Sequence, residues 1–339
     1  MGSETIVVTG AGGRIGSHLT RSLLSDGHVV RAFGLEGERR LEKLEQFGAD
    51  VVIGDLEQAD TLPGLVRGAD VVCHLAAALT THDVTDDRFV DVNLRGTFNL
   101  LAAVCEAAPD LRRFVYTSSD AVYWTGGGSP ALYLPVDECH PRRPGTVYGA
   151  TKVGAEELCR AFAHSYGVPF SVMRPSPTAE PGELVDPGSV FGRRWFVAPA
   201  IHWLSGRDQL SSDEADLLET LQNVRGDGYQ LFSLVDVDGR SNLSMLNDAR
   251  DAAEGMRAIL RRPEAAGEAF NIGAAAPHLE HAFVTHLGQQ LSLEVAEVRN
   301  RSVRPSWYIS SAKARGVLDY RPTRSVFDMI EEAVATGGR

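Results

Sequence analysis

The sequence predicts an α/β protein built on a doubly wound parallel sheet, with a smaller C-terminal part added to it. Three observations lead to this prediction. Short β-branched runs alternate with longer helical patterns through the first half of the chain. A glycine-rich turn follows the first of these runs. A segment rich in proline and glycine then breaks the alternation after Pro175.

Alternating strands and helices are typical of a parallel sheet whose ligands bind at the carboxyl ends of the strands. The predicted strands are 5–9, 28–33, 50–53, 70–76, 113–119 and 170–175. The predicted helices between them include 14–26, 88–107 and 147–166.

Beyond Pro175 the pattern changes, which marks a second part of the chain. A helical period resumes at 246–260, and 268–273 has the composition of a late strand. We therefore expect residues 1–175 to form the main domain, with elements near 236–274 returning to it. Residues 176–235 and 275–339 are expected to form the smaller part, which covers the strand ends.

Composition excludes several classes of protein. The chain has 339 residues, 43% of them hydrophobic, which suffices for a large core. A formal net charge of −12 repels phosphate and argues against nucleic-acid or anionic-membrane binding. No apolar run approaches the roughly 18 residues of a membrane span, and the start lacks a signal-like segment, so we expect a cytoplasmic protein.

The potential metal ligands are scattered. The four cysteines form no CxxC pair, and we interpret them as reduced thiols. His281 and His286 are five residues apart, which takes them off a common helical face. No metal site is predicted.

Gly10, Gly13 and Gly16 lie between the first predicted strand and the first helix. Glycine is required where a backbone turns tightly and approaches a pyrophosphate, and the following helix start supplies free N–H groups and a positive dipole end. This arrangement predicts a Rossmann-type dinucleotide-binding domain at 1–175.

Tyr148 and Lys152 lie four residues apart in the predicted helix 147–166, so they share a face. A secondary alcohol gives up a hydride only as its hydroxyl proton leaves, which requires a proton acceptor. A free tyrosine has a pKa near about 10, and a neighbouring ammonium together with a cationic nicotinamide lowers it. Tyr148 is therefore the predicted acid/base. Lys152 is predicted to lower the pKa of Tyr148 and to bind the ribose.

The GxxGxxG spacing, followed by "YGATK" at 148–152, resembles the short-chain dehydrogenase/reductase superfamily. The length and layout are similar to its extended branch, the NAD-dependent epimerase/dehydratase family. Further segments resemble that family in the same order, among them "GDLEQ", "HLAAA" and "VNLRGTFNLLAA". The resemblance implies that the cofactor is bound by Gly10, Gly13, Arg14, Ile15, Gly16, Asp55, Leu56, Ala76, Ala77, Asn93, Tyr148 and Lys152.

The resemblance also assigns residues to the substrate side. In "VYTSSDAVYW", Ser119 aligns with the hydroxyl that bonds the substrate oxygen, so the implied catalytic set is Ser119, Tyr148 and Lys152. Ser118, Asp120 and Trp124 are candidate substrate contacts. The 4,6-dehydratases of the family place an Asp–Glu pair after the serine or threonine, whereas Asp120 is followed by Ala121 here, which disfavours elimination.

The choice between NAD and NADP stays open in the sequence. An acidic residue ends the second strand in NAD users, but Gly34 occupies that position. Glu36 lies two residues further on and can reach the ribose. Arg14, Arg39 or Arg40 can instead bind a 2′-phosphate.

We expect an NAD(P)-dependent oxidoreductase that moves hydride between the nicotinamide and a secondary alcohol or ketone of a small polar, sugar-like molecule. In this interpretation the smaller part, 176–235 and 275–339, binds the substrate. The alternative is a nucleotide-sugar 4-epimerase with tightly held NAD, although Pro177 replaces the asparagine that bonds the diphosphate in such enzymes. A third interpretation is a catalytically silent cofactor-binding interaction protein. The family resemblance implies a homodimer through 88–107 and 147–166.

Overall fold

The computed structural model describes residues 2–79, 84–123, 130–301 and 303–337. A sheet of seven parallel strands lies at the centre, with helices on both of its faces. The predicted doubly wound α/β fold is thus confirmed.

Thirteen strands are assigned among the described residues. They are β1 Thr5–Thr9, β2 Val29–Gly34, β3 Asp50–Ile53, β4 Val71–His74, β5 Arg113–Thr117, β6 Phe170–Pro175, β7 Thr178–Ala179, β8 Leu231–Val235, β9 Leu243–Ser244, β10 Asn247–Asp248, β11 Ala269–Ile272, β12 His278–Leu279 and β13 Val295–Arg299. The central sheet has the order β11-β6-β5-β4-β1-β2-β3, and all of its pairs are parallel. The carboxyl ends of β1 and β4 are therefore neighbours, which is where a parallel sheet binds its ligand.

Thirteen α-helices are assigned in the same ranges. They are α1 Arg14–Ser25, α2 Arg39–Glu45, α3 Leu62–Val66, α4 Asp86–Phe89, α5 Gly96–Ala107, α6 Val147–Tyr166, α7 Pro181–Val185, α8 Val197–Ser205, α9 Ser212–Gly226, α10 Ala249–Arg261, α11 Glu280–Leu291, α12 Ala312–Leu318 and α13 Val326–Ala335. None of the described helices is both long enough and apolar enough to cross a bilayer.

Strand β1 shows why the sheet is covered on both faces. Ile6 and Val8 point to one face and pack in the core formed with α1 and α10. Val7 points to the other face and packs with α5 and α6. All three side chains are almost fully buried, so the strand is a continuous apolar run, as is typical of parallel sheets.

The smaller part has its own cores. Helices α8 and α9 pack on the parallel pair β8 and β13, and a second cluster joins α11 and α13 to α7. The short pair β7 and β10 lies just beyond β6 and leads into α10. Strand β11 follows α10 and forms the edge of the central sheet beside β6.

The predicted helix 88–107 is interrupted. Its first turn is α4, residues Val90–Arg95 form a π-helical segment, and α5 follows. Periodicity predicts a helix but not an extra residue in one turn, and such segments are frequent at functional sites. Asn93, a predicted cofactor-side residue, lies in this segment.

A buried ion pair joins α6 to the central sheet. Arg174 on β6 makes two hydrogen bonds with the Glu156 carboxylate, at 2.8 and 2.6 Å, and both side chains are at most 3% exposed. Arg174 also donates to the Tyr123 hydroxyl at 2.5 Å, and Tyr123 donates to Asn271 on β11 at 2.9 Å. The loop that follows β5 is therefore tied to two strands and to α6.

We expect Glu156→Gln to destabilise the protein, because it leaves the buried Arg174 charge without its counter-ion. Removing one partner of a buried pair reduces the free energy of unfolding by about 3–5 kcal/mol. Urea unfolding measured by circular dichroism tests this value. Glu157→Gln on the same helix is the matched control, since Glu157 is half exposed and its surface ion pairs contribute about 1 kcal/mol or less. Equal losses in the two variants would contradict the prediction.

Candidate active site

The glycine turn closes the space between the ends of β1 and β4. Gly10 has a φ of +67°, and a Cβ there would come within 2.7 Å of the Ala76 backbone nitrogen. A Cβ on Gly16 would overlap the carbonyl oxygen of Gly10. The Gly13 N–H donates to that same carbonyl at 3.0 Å. The turn therefore admits no side chain at Gly10 or Gly16, and backbone alone faces the strand ends.

The start of α1 is built to receive an anion. Gly13 is its N-cap residue and provides no side-chain capping bond, while Arg14, Ile15 and Gly16 form its first turn. Their N–H groups precede the first hydrogen bonds within the helix and coincide with the positive end of its dipole. A pyrophosphate fits this arrangement, and Ile15 anchors the turn by packing against the core beneath it.

The Arg14 side chain is directed away from this helix start. Its guanidinium makes a bidentate ion pair with Glu183 of α7, at 2.6 and 2.7 Å, and lies over the Phe191 ring. Arg40 likewise lies 3.6 Å from Glu180. Two of the three arginines that were considered as ligands of a 2′-phosphate, Arg14 and Arg40, therefore have carboxylate partners in the smaller part, whereas Arg39 is exposed.

The other predicted cofactor residues follow strands β3 and β4. Asp55 comes after β3, and its carboxylate accepts a hydrogen bond from the Glu57 N–H at 3.0 Å. Leu56 is 3% exposed. Ala76 and Ala77 come after β4, where the Ala76 N–H donates to the Thr9 hydroxyl at 3.2 Å. All of these residues lie beyond the carboxyl ends of strands of the central sheet, and because the sheet is parallel these ends share one edge.

Asn93 holds the segment that follows β4. Its side-chain oxygen accepts from the Ala78 N–H at 2.8 Å, and its amide donates to the Ala78 carbonyl at 3.1 Å and to Thr151 at 3.4 Å. The side chain is 1% exposed. Asn93 thus joins the π-helical segment, the Ala76–Ala78 backbone and α6, and its amide is fully engaged within the protein.

Ser119, Tyr148 and Lys152 come together at the end of β5. Thr146 caps α6 by accepting from the Gly149 N–H, so the helix begins immediately before Tyr148. The Ser119 side chain interacts with that of Tyr148 and acts to lower the pKa of the phenol. Lys152 lies one turn along, 3% exposed, and donates to the Thr117 carbonyl at 3.0 Å. The structure therefore assembles the three predicted catalytic residues.

Burial controls the acidity of this group in the protein alone. Desolvation raises the pKa of Tyr148 to about 12, and the interaction with Ser119 opposes this shift. Desolvation lowers the pKa of Lys152 to about 7, and nearby Glu156 opposes that shift. The Lys152 ammonium lies 5.8 Å from the Tyr148 ring centre. The predicted lowering of the phenol pKa relies on Lys152 together with a cationic nicotinamide, and Lys152 by itself does not produce it.

Asp120 is engaged by a residue that the sequence did not single out. Its carboxylate accepts from the Trp307 indole N–H at 2.9 Å and from the Ser119 hydroxyl at 3.3 Å. Asp120 is 7% exposed, and desolvation raises its pKa to about 6. Trp307 lies 187 residues away in the chain, so no local pattern could have connected the two.

The remaining substrate candidates are placed differently. Ser118 is 2% exposed, and its buried hydroxyl has no hydrogen-bond partner among the described residues, whereas Ser119 interacts with Tyr148. Ser118 lies close enough to Glu156 to lower the pKa of that carboxyl. Trp124 lies outside the described residues. Within the described ranges, His, Cys, Asp and Glu side chains form no group of three or more that could hold a metal ion.

Comparison with known proteins places this arrangement in context. A ketoreductase of 4-hydroxy-2-methyl-3-oxo-4-farnesyl-3,4-dihydroquinoline-1-oxide from Stigmatella aurantiaca is 33% identical over 287 residues, which are 80% of this chain and 78% of that protein. A UDP-glucose 4-epimerase from Mycolicibacterium smegmatis is 29% identical over 345 residues, which are 97% of this chain and 96% of that protein.

A solved structure extends the similarity to the whole chain. A short-chain dehydrogenase/reductase superfamily protein from Agrobacterium tumefaciens, determined with bound NAD, is 31% identical. The superposition covers 98% of this chain and 97% of that chain, with a TM-score of 0.85. Residues 6–193 match the model of the NAD-dependent epimerase/dehydratase family. The chain therefore belongs to this family, the extended branch of the short-chain dehydrogenase/reductase enzymes.

Proposed function

We propose that this enzyme uses NAD to move hydride between the nicotinamide and a secondary alcohol or ketone carbon of a small polar, sugar-like substrate. The observation that carries the proposal is the convergence of Ser119, Tyr148 and the buried Lys152 at the end of β5. Similarity to a ketoreductase and to an NAD-bound superfamily member supports it.

Bound NAD would supply the hydride acceptor and a positive charge beside the phenol. Ser119 orients the substrate oxygen by a hydrogen bond, and Tyr148 takes its proton during oxidation or returns it during reduction. Lys152 binds the cofactor ribose and adds positive charge. Because Ala121 follows Asp120, the second carboxylate that elimination requires is missing at this position.

A UDP-sugar 4-epimerase is the second candidate, because the M. smegmatis epimerase aligns over 97% of this chain. The same three residues would then oxidise one carbon and reduce it again from its other face. Pro177 weakens this candidate, since it has no side-chain donor for a diphosphate. Its carbonyl accepts from the Asn247 N–H at 2.8 Å, which connects it to β10.

Absorbance at 340 nm distinguishes the two candidates. The purified protein is given NAD or NADH with panels of secondary alcohols and ketones, including uronates, polyols and UDP-sugars. We expect a net change in NADH with a substrate of the first group. Epimerised UDP-sugar formed without a net change in NADH would favour the second candidate.

We expect Tyr148→Phe to reduce turnover by about 10²- to 10⁴-fold, the usual contribution of a general acid or base. The cofactor affinity should change little, because the aromatic ring remains. Turnover and NADH binding, followed by fluorescence, measure the two effects separately. Tyr166→Phe on the same helix is the control, since Tyr166 is 68% exposed. Full turnover in Tyr148→Phe would exclude the proposed proton transfer by Tyr148.

The buried Lys152 predicts a specific dependence of stability on pH. The unfolded chain binds a proton on this lysine up to its ordinary pKa of 10.5, whereas the folded protein releases it near pH 7. Folding is therefore favoured as pH rises between these values. The free energy of unfolding of the wild type minus that of Lys152→Met should rise by about 1.4 kcal/mol per pH unit in this range.

Urea unfolding of cofactor-free protein between pH 7.5 and 9.5 measures this slope. Lys43→Met removes an exposed positive charge on α2 and serves as the control. A difference between wild type and Lys152→Met that does not vary with pH would show that Lys152 is not desolvated as the structure indicates.

We also propose a homodimer formed through α5 and α6. The rings of Phe98, Phe162 and Tyr166 are in contact across these helices, with centroid distances of 5.7 and 5.3 Å. Phe98 is nevertheless 47% exposed and Tyr166 is 68% exposed. Such a patch gains apolar burial when a second copy covers it.

We expect Phe98→Glu to convert the dimer to monomer, because it would bury a charge in the contact. Light scattering after size exclusion measures the mass. Val237→Glu is the control, since Val237 is 58% exposed and lies in the loop between β8 and β9, outside α5 and α6. A monomeric wild type, or a dimeric Phe98→Glu protein, would contradict the proposal.

A further inference from the structure

No acidic residue stands at the end of β2, but a carboxylate from the start of α2 lies beside that position. Gly34 ends β2, and a Cβ built there would lie 2.7 Å from Oε2 of Glu38. A Cβ built on Gly12 would overlap the same oxygen. The Glu38 carboxylate thus lies between the end of β2 and the glycine turn. Glu36, the residue considered from the sequence, is exposed.

Helix capping does not explain the position of the Glu38 side chain. Glu38 is the N-cap residue of α2, a position at which a carboxylate usually accepts hydrogen bonds from the first helical turn. Its side chain makes no capping hydrogen bond. The carboxylate instead accepts from the Leu35 backbone and turns towards the glycine turn.

One oxygen of this carboxylate lacks a donor. Oε2 of Glu38 is buried and has no hydrogen-bond partner among the described residues. Desolvation raises the pKa of Glu38, which shows that the protein alone does not compensate for burying the charge. An unsatisfied buried acceptor is unfavourable, so this atom is suited to receive a donor from a ligand.

The surrounding charges disfavour an additional phosphate. Arg14 is held by Glu183 in a bidentate pair, and Arg40 lies beside Glu180. Arg14 and Arg40 are thus already matched by carboxylates, Arg39 is exposed at the start of α2, and Glu38 adds a further negative charge. A 2′-phosphate at this position would meet repulsion, whereas ribose hydroxyl groups would meet an acceptor.

We propose that Glu38 determines cofactor specificity in this enzyme, by accepting hydrogen bonds from the adenosine ribose hydroxyls of NAD and by excluding the 2′-phosphate of NADP. In glycine-turn dinucleotide sites, an acidic side chain about 20 residues beyond the turn binds this ribose. Glu38 follows Gly16 by 22 residues and lies against the turn. The inference rests on the proposed function in so far as the site binds a dinucleotide.

Binding measurements test this role without turnover. Cofactor-stripped protein is titrated with NADH and with NADPH, and nucleotide fluorescence gives each Kd. We expect the wild type to bind NADH at least tenfold more tightly than NADPH. Glu38→Gln should weaken NADH binding by about ten- to a hundredfold, the range for a hydrogen bond to a charged group. Glu38→Gln should not weaken NADPH binding, so the preference for NADH over NADPH should be largely lost.

Glu36→Gln is the matched control, because it removes an exposed carboxylate from the same loop and should keep the wild-type preference. Circular dichroism confirms that each variant is folded. If Glu38→Gln does not fold, competition of NADH binding to the wild type by adenosine 2′-monophosphate and by AMP decides the question. We then expect AMP to compete and the 2′-phosphate to compete at least tenfold more weakly.

A wild type that prefers NADPH, or an unchanged preference in folded Glu38→Gln, would overturn the inference and leave the proposed oxidoreductase intact. In the competition experiment, equal potency of the two adenosine monophosphates would overturn it. Absence of binding of both NADH and NADPH would instead refute the proposed function, and this inference with it.

Discussion

The close backbone approach between the glycine turn and the segment after β4 is the constraint on which this structure depends. Gly10 and Ala76 are so near that a Cβ at Gly10 would meet the neighbouring backbone nitrogen at 2.7 Å. This contact brings the start of α1 to the ends of the central strands, and Asn93 fixes the adjoining backbone at Ala78. Under the proposed function, the helix start that would bind the pyrophosphate and the Ser119–Tyr148–Lys152 group at the end of β5 can approach each other only because nothing larger than hydrogen occupies this space.

Desolvation dominates the chemistry of the site. It raises the pKa of Tyr148 to about 12 and lowers that of Lys152 to about 7, so in the protein alone both side chains are biased towards their neutral forms. A proton-transfer group of this kind becomes effective when positive charge enters the cleft, which is what an oxidised nicotinamide would contribute under the proposed function. The buried Glu156–Arg174 pair lies behind this group and orders it without supplying such charge.

Local pattern predicted most of the framework. Strands β1, β3 and β6 begin and end at the predicted residues, as does α6, because each combines a clear apolar period with a turn or cap at its ends. The π-helical segment around Asn93 was not predicted, since one extra residue in a turn leaves little trace in periodicity. Trp307 and Glu38 were also missed. Trp307 contacts Asp120 from 187 residues away in the chain. The position of the Glu38 carboxylate depends on how one short loop directs its side chain. Both contacts therefore depend on tertiary structure and not on spacing in the sequence.

The bidentate pair between Arg14 and Glu183 has a mechanical consequence. Arg14 is the first residue of α1, and Glu183 lies in α7 of the smaller part. Glu183 also accepts from the Glu180 N–H at 2.9 Å, so the carboxylate that holds α1 also closes the capping box of its own helix. A rotation of the smaller part would therefore pull on the first turn of α1 through a stiff, two-point link. Under the proposed function, such a movement would also loosen the helix start that holds the nucleotide.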